Sequence, residues 1–318
     1  MNQATGRIAD AHTHVFPAVQ GSGRYGPIRG AGYGWVTRGM RWEKLLPDLV
    51  GADSRFSPEV LLDLMRRAGV DQAVLLQGPF YGECNAYALS AVHEHPKAFT
   101  AQAYFNPWQA DWRETFLAIL GEPAFRGIKI EFSEETGLAG IHPGGRLDEP
   151  RLDEVWGGLE RAGRILTLDL GAVGSASYQT AAVAEIARRH PGLRIVICHL
   201  AQPGPALLSD NDQMKTWLDQ IALGRLPNVF FDTASLPMYF REEKHPVLLV
   251  REFLQRAVEA TGLAKILWGS DAPGTLTLAP YDGHLDLAKL HLDFLSAEEQ
   301  AQILGENARR VYFSENGG

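Results

Sequence analysis

Eight short runs of apolar, often β-branched residues recur along the chain, with longer stretches of helical spacing between them. The runs are RIADAH (7–12), QAVLLQ (72–77), FTAQAYF (99–105), GIKIEF (127–132), RILTLDL (164–170), RIVICHL (194–200), NVFFDTA (228–234) and KILWGSD (265–271). Helices are predicted over 58–68, 84–95, 110–121, 150–162, 177–190, 212–223 and 246–261. Strands separated by helices pair in parallel, because a parallel neighbour needs a long crossover connection. Eight of them favour a closed (β/α)8 barrel, the TIM-barrel form of the α/β class, over an open sheet. Local signals agree. Ser57 and Pro58 open a helix that Gly69 closes, and the basic last turn of AAVAEIARRHPG runs into Pro191. With 318 residues, 45% hydrophobic and 21% charged, the chain suits one barrel with insertions, read as a single domain over 1–318.

One segment breaks the rhythm. Residues 17–57 separate the first strand from its helix, where such connections usually take 2–6 residues. This long insertion carries Tyr25, Tyr33, Trp35 and Trp42, too many aromatics for a disordered linker. In a barrel it leaves from the end where active sites lie, so it is read as a lid or substrate loop. Arg24, Arg29, Arg38 and Arg41 sit on it, and arginine grips carboxylates in bidentate fashion. Arg38 and Arg41 are the candidate substrate-binding residues. A solvated surface is the competing reading of the same charges.

A net charge of −8 argues against nucleic acid or an anionic membrane as partner. MNQATGR has no apolar core of a secretory signal, and no run reaches the ~18 apolar residues of a membrane span. Cys84 and Cys198 do not resemble a disulfide framework, so a reducing cytoplasm is expected. A homo-oligomer is left open.

DAHTHVFP (10–17) ends the first run with two histidines one residue apart. On a strand, residues i and i+2 share a face, about 7 Å apart, which suits two imidazoles on one ion. Lys129 and Glu131 fall on the fourth run, Asp169 on the fifth, His199 on the sixth and Asp271 on the eighth. All lie at C-terminal strand ends, which a closed barrel brings to one mouth. Singly, each has an ordinary alternative: an interior ion pair for Lys129 or Glu131, a helix cap for Asp169, a turn for Asp271.

Asp10-Ala-His-Thr-His, Gly-Ile-Lys at 127–129, Cys-His-Leu at 198–200, Leu-Trp-Gly-Ser-Asp-Ala-Pro at 267–273 and the closing Leu304-Gly-Glu-Asn-Ala-Arg-Arg resemble the amidohydrolase superfamily. The chain is most similar to the amidohydrolase-related branch that includes aminocarboxymuconate semialdehyde decarboxylase and related metal-dependent hydrolases. The resemblance implies one divalent ion, zinc first, on His12, His14 and Asp271. It implies Asp271 as the base for water and His199 as the group that polarises the substrate or moves a proton. Where such proteins carry a metal-binding histidine on strand 5, this chain reads Leu166-Thr-Leu-Asp169. A carboxylate is an acceptable zinc ligand, so Asp169 is a candidate fourth ligand. The related pyrone-dicarboxylate lactonases also lack that histidine and work without metal, which keeps a metal-free lactone hydrolase open. The resemblance makes Lys129 structural or substrate-facing, and Glu131 either a partner to a histidine or a substitute ligand.

The expected activity is metal-dependent hydrolysis of a small carboxylated substrate, with non-oxidative decarboxylation on the same scaffold as the alternative. The remaining histidines look weaker. His93 and His95 repeat the spacing at a helix end, where i and i+2 diverge. Alternation points Cys198 away from the mouth, as a packed core thiol.

Overall fold

All eight predicted runs enter one parallel sheet in the computed structural model, which describes residues 7–314. The strands are β1 (Ile8–Thr13), then β2 (Gln20–Gly23), β3 (Gly26–Gly30), β4 (Trp35–Arg38) and β5 (Arg41–Lys44) of the insertion. There follow β6 (Val70–Leu75), β7 (Phe99–Tyr104), β8 (Phe125–Glu131), β9 (Ile165–Asp169), β10 (Arg194–Ile197), β11 (Val229–Asp232) and β12 (Ile266–Leu267). The sheet order is β1-β6-β7-β8-β9-β10-β11-β12, each strand beside its successor. Backbone hydrogen bonds close the ring: Ala11 N–H to Trp268 O at 2.9 Å, Asp271 N–H to His12 O at 2.8 Å and His14 N–H to Ala272 O at 2.9 Å. The result is a TIM barrel with an insertion after β1.

The principal outer helices are α1 (Pro58–Ala68), α2 (Asn85–Glu94) and α3 (Trp112–Gly121). After the one-turn α4 (Leu138–Ile141) come α5 (Asp153–Arg161), α6 (Thr180–Arg189) and α7 (Asn211–Ile221). Another one-turn helix, α8 (Leu236–Tyr239), precedes α9 (Pro246–Thr261) and α10 (Tyr281–His291). The cap signals read from sequence are real at α1: Ser57 accepts from Val60 N–H, and Gly69, at φ 72°, returns its N–H to Met65 O. Strand alternation sorts the core. Leu75, Ala101, Ile128, Ile130 and Leu168 belong to the core shared with the helices. Val74, Leu76, Ile165, Val196 and Leu267 cluster instead with Val311 and Tyr312 of the C-terminal segment. That cluster fills one end of the barrel with apolar side chains. The polar residues Asp10, His12, Lys129, Asp169 and Asp232 are buried at the other.

Several strands are shorter than predicted, and two of these changes shape the mouth. KILWGSD pairs as β12 only over Ile266–Leu267; residues 268–272 then run along β1. RIVICHL stops at Ile197, where the backbone turns through left-handed conformations at His199, Leu200, Ala201 and Gln202.

The insertion is not an open loop. Its four short strands form an antiparallel sheet in the order β2-β3-β4-β5. The sheet lies against loops at the C-terminal end of the barrel: Ser22 N–H donates to Pro79 O at 2.9 Å and Arg24 N–H to Glu135 O at 3.0 Å. Gly21 permits this approach, since a Cβ there would sit 2.1 Å from the carbonyl oxygens of Pro79 and Phe80. Among the described residues no helix is long and apolar enough to cross a membrane.

Candidate active site

β1 carries His12 at its inner end, and His14 follows one residue beyond it. Each ring is fixed by its Nδ1. His14 Nδ1–H donates to the Leu76 carbonyl at 2.9 Å, and His12 Nδ1–H to Asp232 Oδ2 at 3.0 Å. In a neutral imidazole this leaves Nε2 as a bare acceptor. Burial favours that neutral form, pulling His14 down to about 4 and lowering His12. Both Nε2 atoms face Asp271 Oδ1, at 3.0 Å from His14 and 3.6 Å from His12.

Asp271 stays ionised. Burial opposes its charge, but the surrounding histidines, with His199 charged, hold it well below the usual carboxylate range. Two lone pairs aimed at an anionic oxygen repel each other unless a cation lies between them. Nitrogen and oxygen ligands at 2.0–2.1 Å from a tetrahedral ion lie about 3.3 Å apart, a spacing that 3.0 and 3.6 Å bracket. His12, His14 and Asp271 therefore fit a divalent ion by geometry and by donor chemistry. Asp271 adopts φ +62° and its Oδ2 accepts from the Ser235 hydroxyl, a residue also at positive φ. Backbone strain of this kind collects where side-chain direction matters.

The second half of the site is an ion pair. Asp169, at the end of β9, meets His199 Nε2 through Oδ2 at 3.3 Å. Burial works against the imidazolium, but the charge and hydrogen bond of Asp169 outweigh it and lift His199 to about 9. Asp169 is held low in return, chiefly by His199 and Lys129 against the cost of burial. Asp169 Oδ1 accepts from Gly171 N–H at 3.0 Å and Gln202 Nε2 at 2.8 Å. It caps no helix, since α6 begins only at Thr180, and its partner here is His199 rather than the triad. Lys129 Nζ lies 3.5 Å from His12 Nε2. Glu131 pairs in register with Asp169 across β8 and β9. Burial, opposed by Lys129 and reinforced by Asp169, raises Glu131 to about 7, while Thr136 Oγ1 donates to it at 2.9 Å.

The remaining candidates have partners elsewhere. Arg38 pairs with Glu43 and, at 3.4 Å, with Glu135; Arg41 lies over the Tyr25 ring at 5.5 Å. Arg24 faces Glu134, and Arg29 donates to the carbonyls of Gly21 and Ile28. His93 and His95 form no pair, and His190 bonds Asp153 and Glu160. Cys198 corrects its sequence reading: it faces inward, with a ligand atom within 4.8 Å of those of His12 and His199. Alternation along β10 points residue 198 inward, and the left-handed turn then swings His199 to the same side.

The family model described as amidohydrolase matches residues 9–313. The chain belongs to the amidohydrolase family. One relative is an L-fucono-1,5-lactonase of Burkholderia ambifaria, 26% identical over 87% of this chain and 91% of its own. Two solved structures share the fold. An amidohydrolase from Burkholderia multivorans with bound zinc aligns with TM-score 0.72 and 19% identity, covering 97% of this chain and all of its own. A probable 2-pyrone-4,6-dicarboxylic acid hydrolase from Acinetobacter baumannii, with citric acid bound, aligns with TM-score 0.70 and 15% identity, covering 97% of this chain and all of its own.

The site also brings in residues to which the sequence reading gave no role. Asp232, at the end of β11, bonds His12 through Oδ2 and the backbone N–H groups of His199 and Ala234 through Oδ1 at 2.9 and 3.1 Å. It ends a predicted strand like Asp169 does, so the same rule would have flagged it. Asp10 accepts from His12 N–H, Ser270 N–H and the Tyr281 hydroxyl, tying β1 to the segment bearing Asp271. Tyr81 stacks on Phe16 and packs 4.9 Å from the His14 ring.

Proposed function

We propose that this chain hydrolyses a lactone, with a divalent ion, zinc first, held by His12, His14 and Asp271. The observation that carries the reading is the pair of bare Nε2 atoms converging on the ionised Asp271. An ion bound there supplies Lewis acidity and lowers the pKa of water toward neutrality. Asp271, kept anionic and steadied by Ser235, takes the proton of the attacking water. His199, charged and backed by Asp169, presents a cationic N–H to the carbonyl oxygen as negative charge develops there. The Lys129 ammonium adds a buried positive charge to the same cluster. The new C–O bond comes from water, the ring C–O bond breaks, and the proton held by Asp271 passes to the departing alkoxide.

Two similarities support cyclic esters over other acyl compounds: one relative is a lactonase and one structural neighbour a pyrone hydrolase. Of the arginines offered for a carboxylate, Arg24, Arg29 and Arg38 are engaged by Glu134, by carbonyl oxygens and by Glu43 with Glu135, while Arg41 lies over the Tyr25 ring. The test is a lactone panel followed by proton release, beside metal analysis of the purified protein. Ring opening that a chelator abolishes and zinc restores is expected, with metal content sharply reduced in His14→Ala. Metal-free protein that still opens lactones would overturn the role of the ion and leave Asp271 acting on water directly. Release of CO2 instead of a hydroxy acid would assign decarboxylation.

A further inference from the structure

The insertion sheet has two unlike faces. Ile28 and Val36 point toward the barrel and are fully buried. The register pairs Trp35 with Lys44, Thr37 with Trp42 and Arg29 with Thr37, which places all five on the opposite, outward face. There Trp35 is 44% exposed and Trp42 66%, with Met40 beside them on the hairpin tip at 99%. Exposed tryptophans on a flat sheet are unusual for a solvated surface and common at protein interfaces. The charge of the segment is equally unusual. Residues 20–44 carry five basic side chains and one acidic one, in a chain whose net charge is −8; Arg24, Arg38 and Lys44 pair with Glu134, Glu43 and Asp48, and Arg29 carries no ion pair among the described residues.

A second feature has the opposite character. Between α2 and α3 runs a groove of about 630 Å³ whose floor is Leu89, Ala118, Ile119 and Phe125. Its rim carries Glu83, Asp111, Glu114 and Glu122, and no lysine, arginine or histidine lines it. Among the described residues none of these four carboxylates is ion-paired. An apolar floor within an unpaired acidic rim complements exposed tryptophans flanked by Arg29, with Lys44, shared with Asp48, at the edge of the same face.

We propose that the occupant is a second copy of this chain: the outward sheet face of one copy seats in the acidic groove of the other. In a two-fold dimer both seats form at once, so the contact is self-complementary. The tryptophans supply the desolvated anchors and the charges supply register and rate. Charge complementarity selects a copy of the same chain over a basic partner, which the sheet would repel, and over an acidic one, which the groove would repel. One end of the groove is lined by Tyr104, whose phenol lies within electrostatic reach of both Glu83 and Glu131, so the contact abuts the barrel interior.

The experiment is sedimentation velocity on the full chain over a range of protein and salt concentrations. A species of twice 35.0 kDa is expected at low salt, shifting toward 35.0 kDa as salt screens the rim. Trp35→Ser with Trp42→Ser should weaken association at least about tenfold. Two charge reversals make the test specific. Asp111→Lys with Glu114→Lys should sediment as a monomer, as should Arg29→Glu with Thr37→Glu. Mixed together they should form a heterodimer, because each groove then meets a sheet of opposite charge. Circular dichroism checks that each variant is folded. A wild type that stays monomeric throughout, variants that remain dimeric, or a mixture that fails to associate would each overturn the proposal. So would capture of a different protein by the sheet face with no self-association.

Discussion

Replacing Asp169 by asparagine isolates a charge with almost no change of shape. The amide oxygen still accepts from Gly171 N–H and Gln202 Nε2, so those two hydrogen bonds survive. What is lost is the anion facing His199. Lifting an imidazole from 6.5 to about 9 corresponds to about 3 kcal/mol, at 1.36 kcal/mol for each factor of ten. The sign follows from linkage. A group whose pKa is raised in the folded state stabilises fully below its unfolded value and loses that contribution as pH climbs through the folded one. The pair therefore stabilises the wild type most near pH 6 and least above pH 9. Asp169, held low, is ionised across this window and adds no slope of its own. Urea unfolding of chelator-treated protein, followed by the fluorescence of its seven tryptophans, reads the difference. Asp169→Asn should be less stable than wild type by up to about 3 kcal/mol near pH 6, with the gap closing by about pH 9. A gap that stays constant from pH 6 to pH 9 would refute the ion pair and leave Asp169 a hydrogen-bonding group only.

Asp232→Asn should lower metal affinity by about 10–100-fold with the fold intact, because the amide no longer fixes the proton of His12 on Nδ1; calorimetric zinc titration of the metal-depleted variant measures it. Gly127→Ala should yield little soluble protein or a melting temperature several degrees lower by differential scanning fluorimetry, since its Cβ would lie 1.8 Å from the Ile165 carbonyl oxygen of the adjacent strand.

The barrel was legible because each strand is a compact apolar run and the helices between carry clear cap signals. Its mouth was legible from the position of polar residues at strand ends, which is how His12 and His14 come to face Asp271 while Asp169 faces His199 at the same end. Two kinds of residue escaped. Asp232 looked like an ordinary strand terminus, and its importance lies in which histidine it touches, a contact between positions 220 residues apart. Cys198 and His199 could not both be placed by alternation, because the backbone leaves the strand between them. The insertion sheet was hidden for another reason. Its strands are four or five residues long and broken by glycines, so no period of two had room to show.

The seam of the barrel has a consequence for how the site comes into being. His14 and Asp271 stand 257 positions apart, just past the first strand and just past the last. A nascent chain that lacks its final turns can fold much of the sheet and still own only half a clasp. The ion proposed for this site would be gripped by both edges of the ring and would fasten its two ends, a latch as well as a reagent. Occupancy of the proposed site would then mark a closed ring, because a form that loses closure would lose one side of the grip.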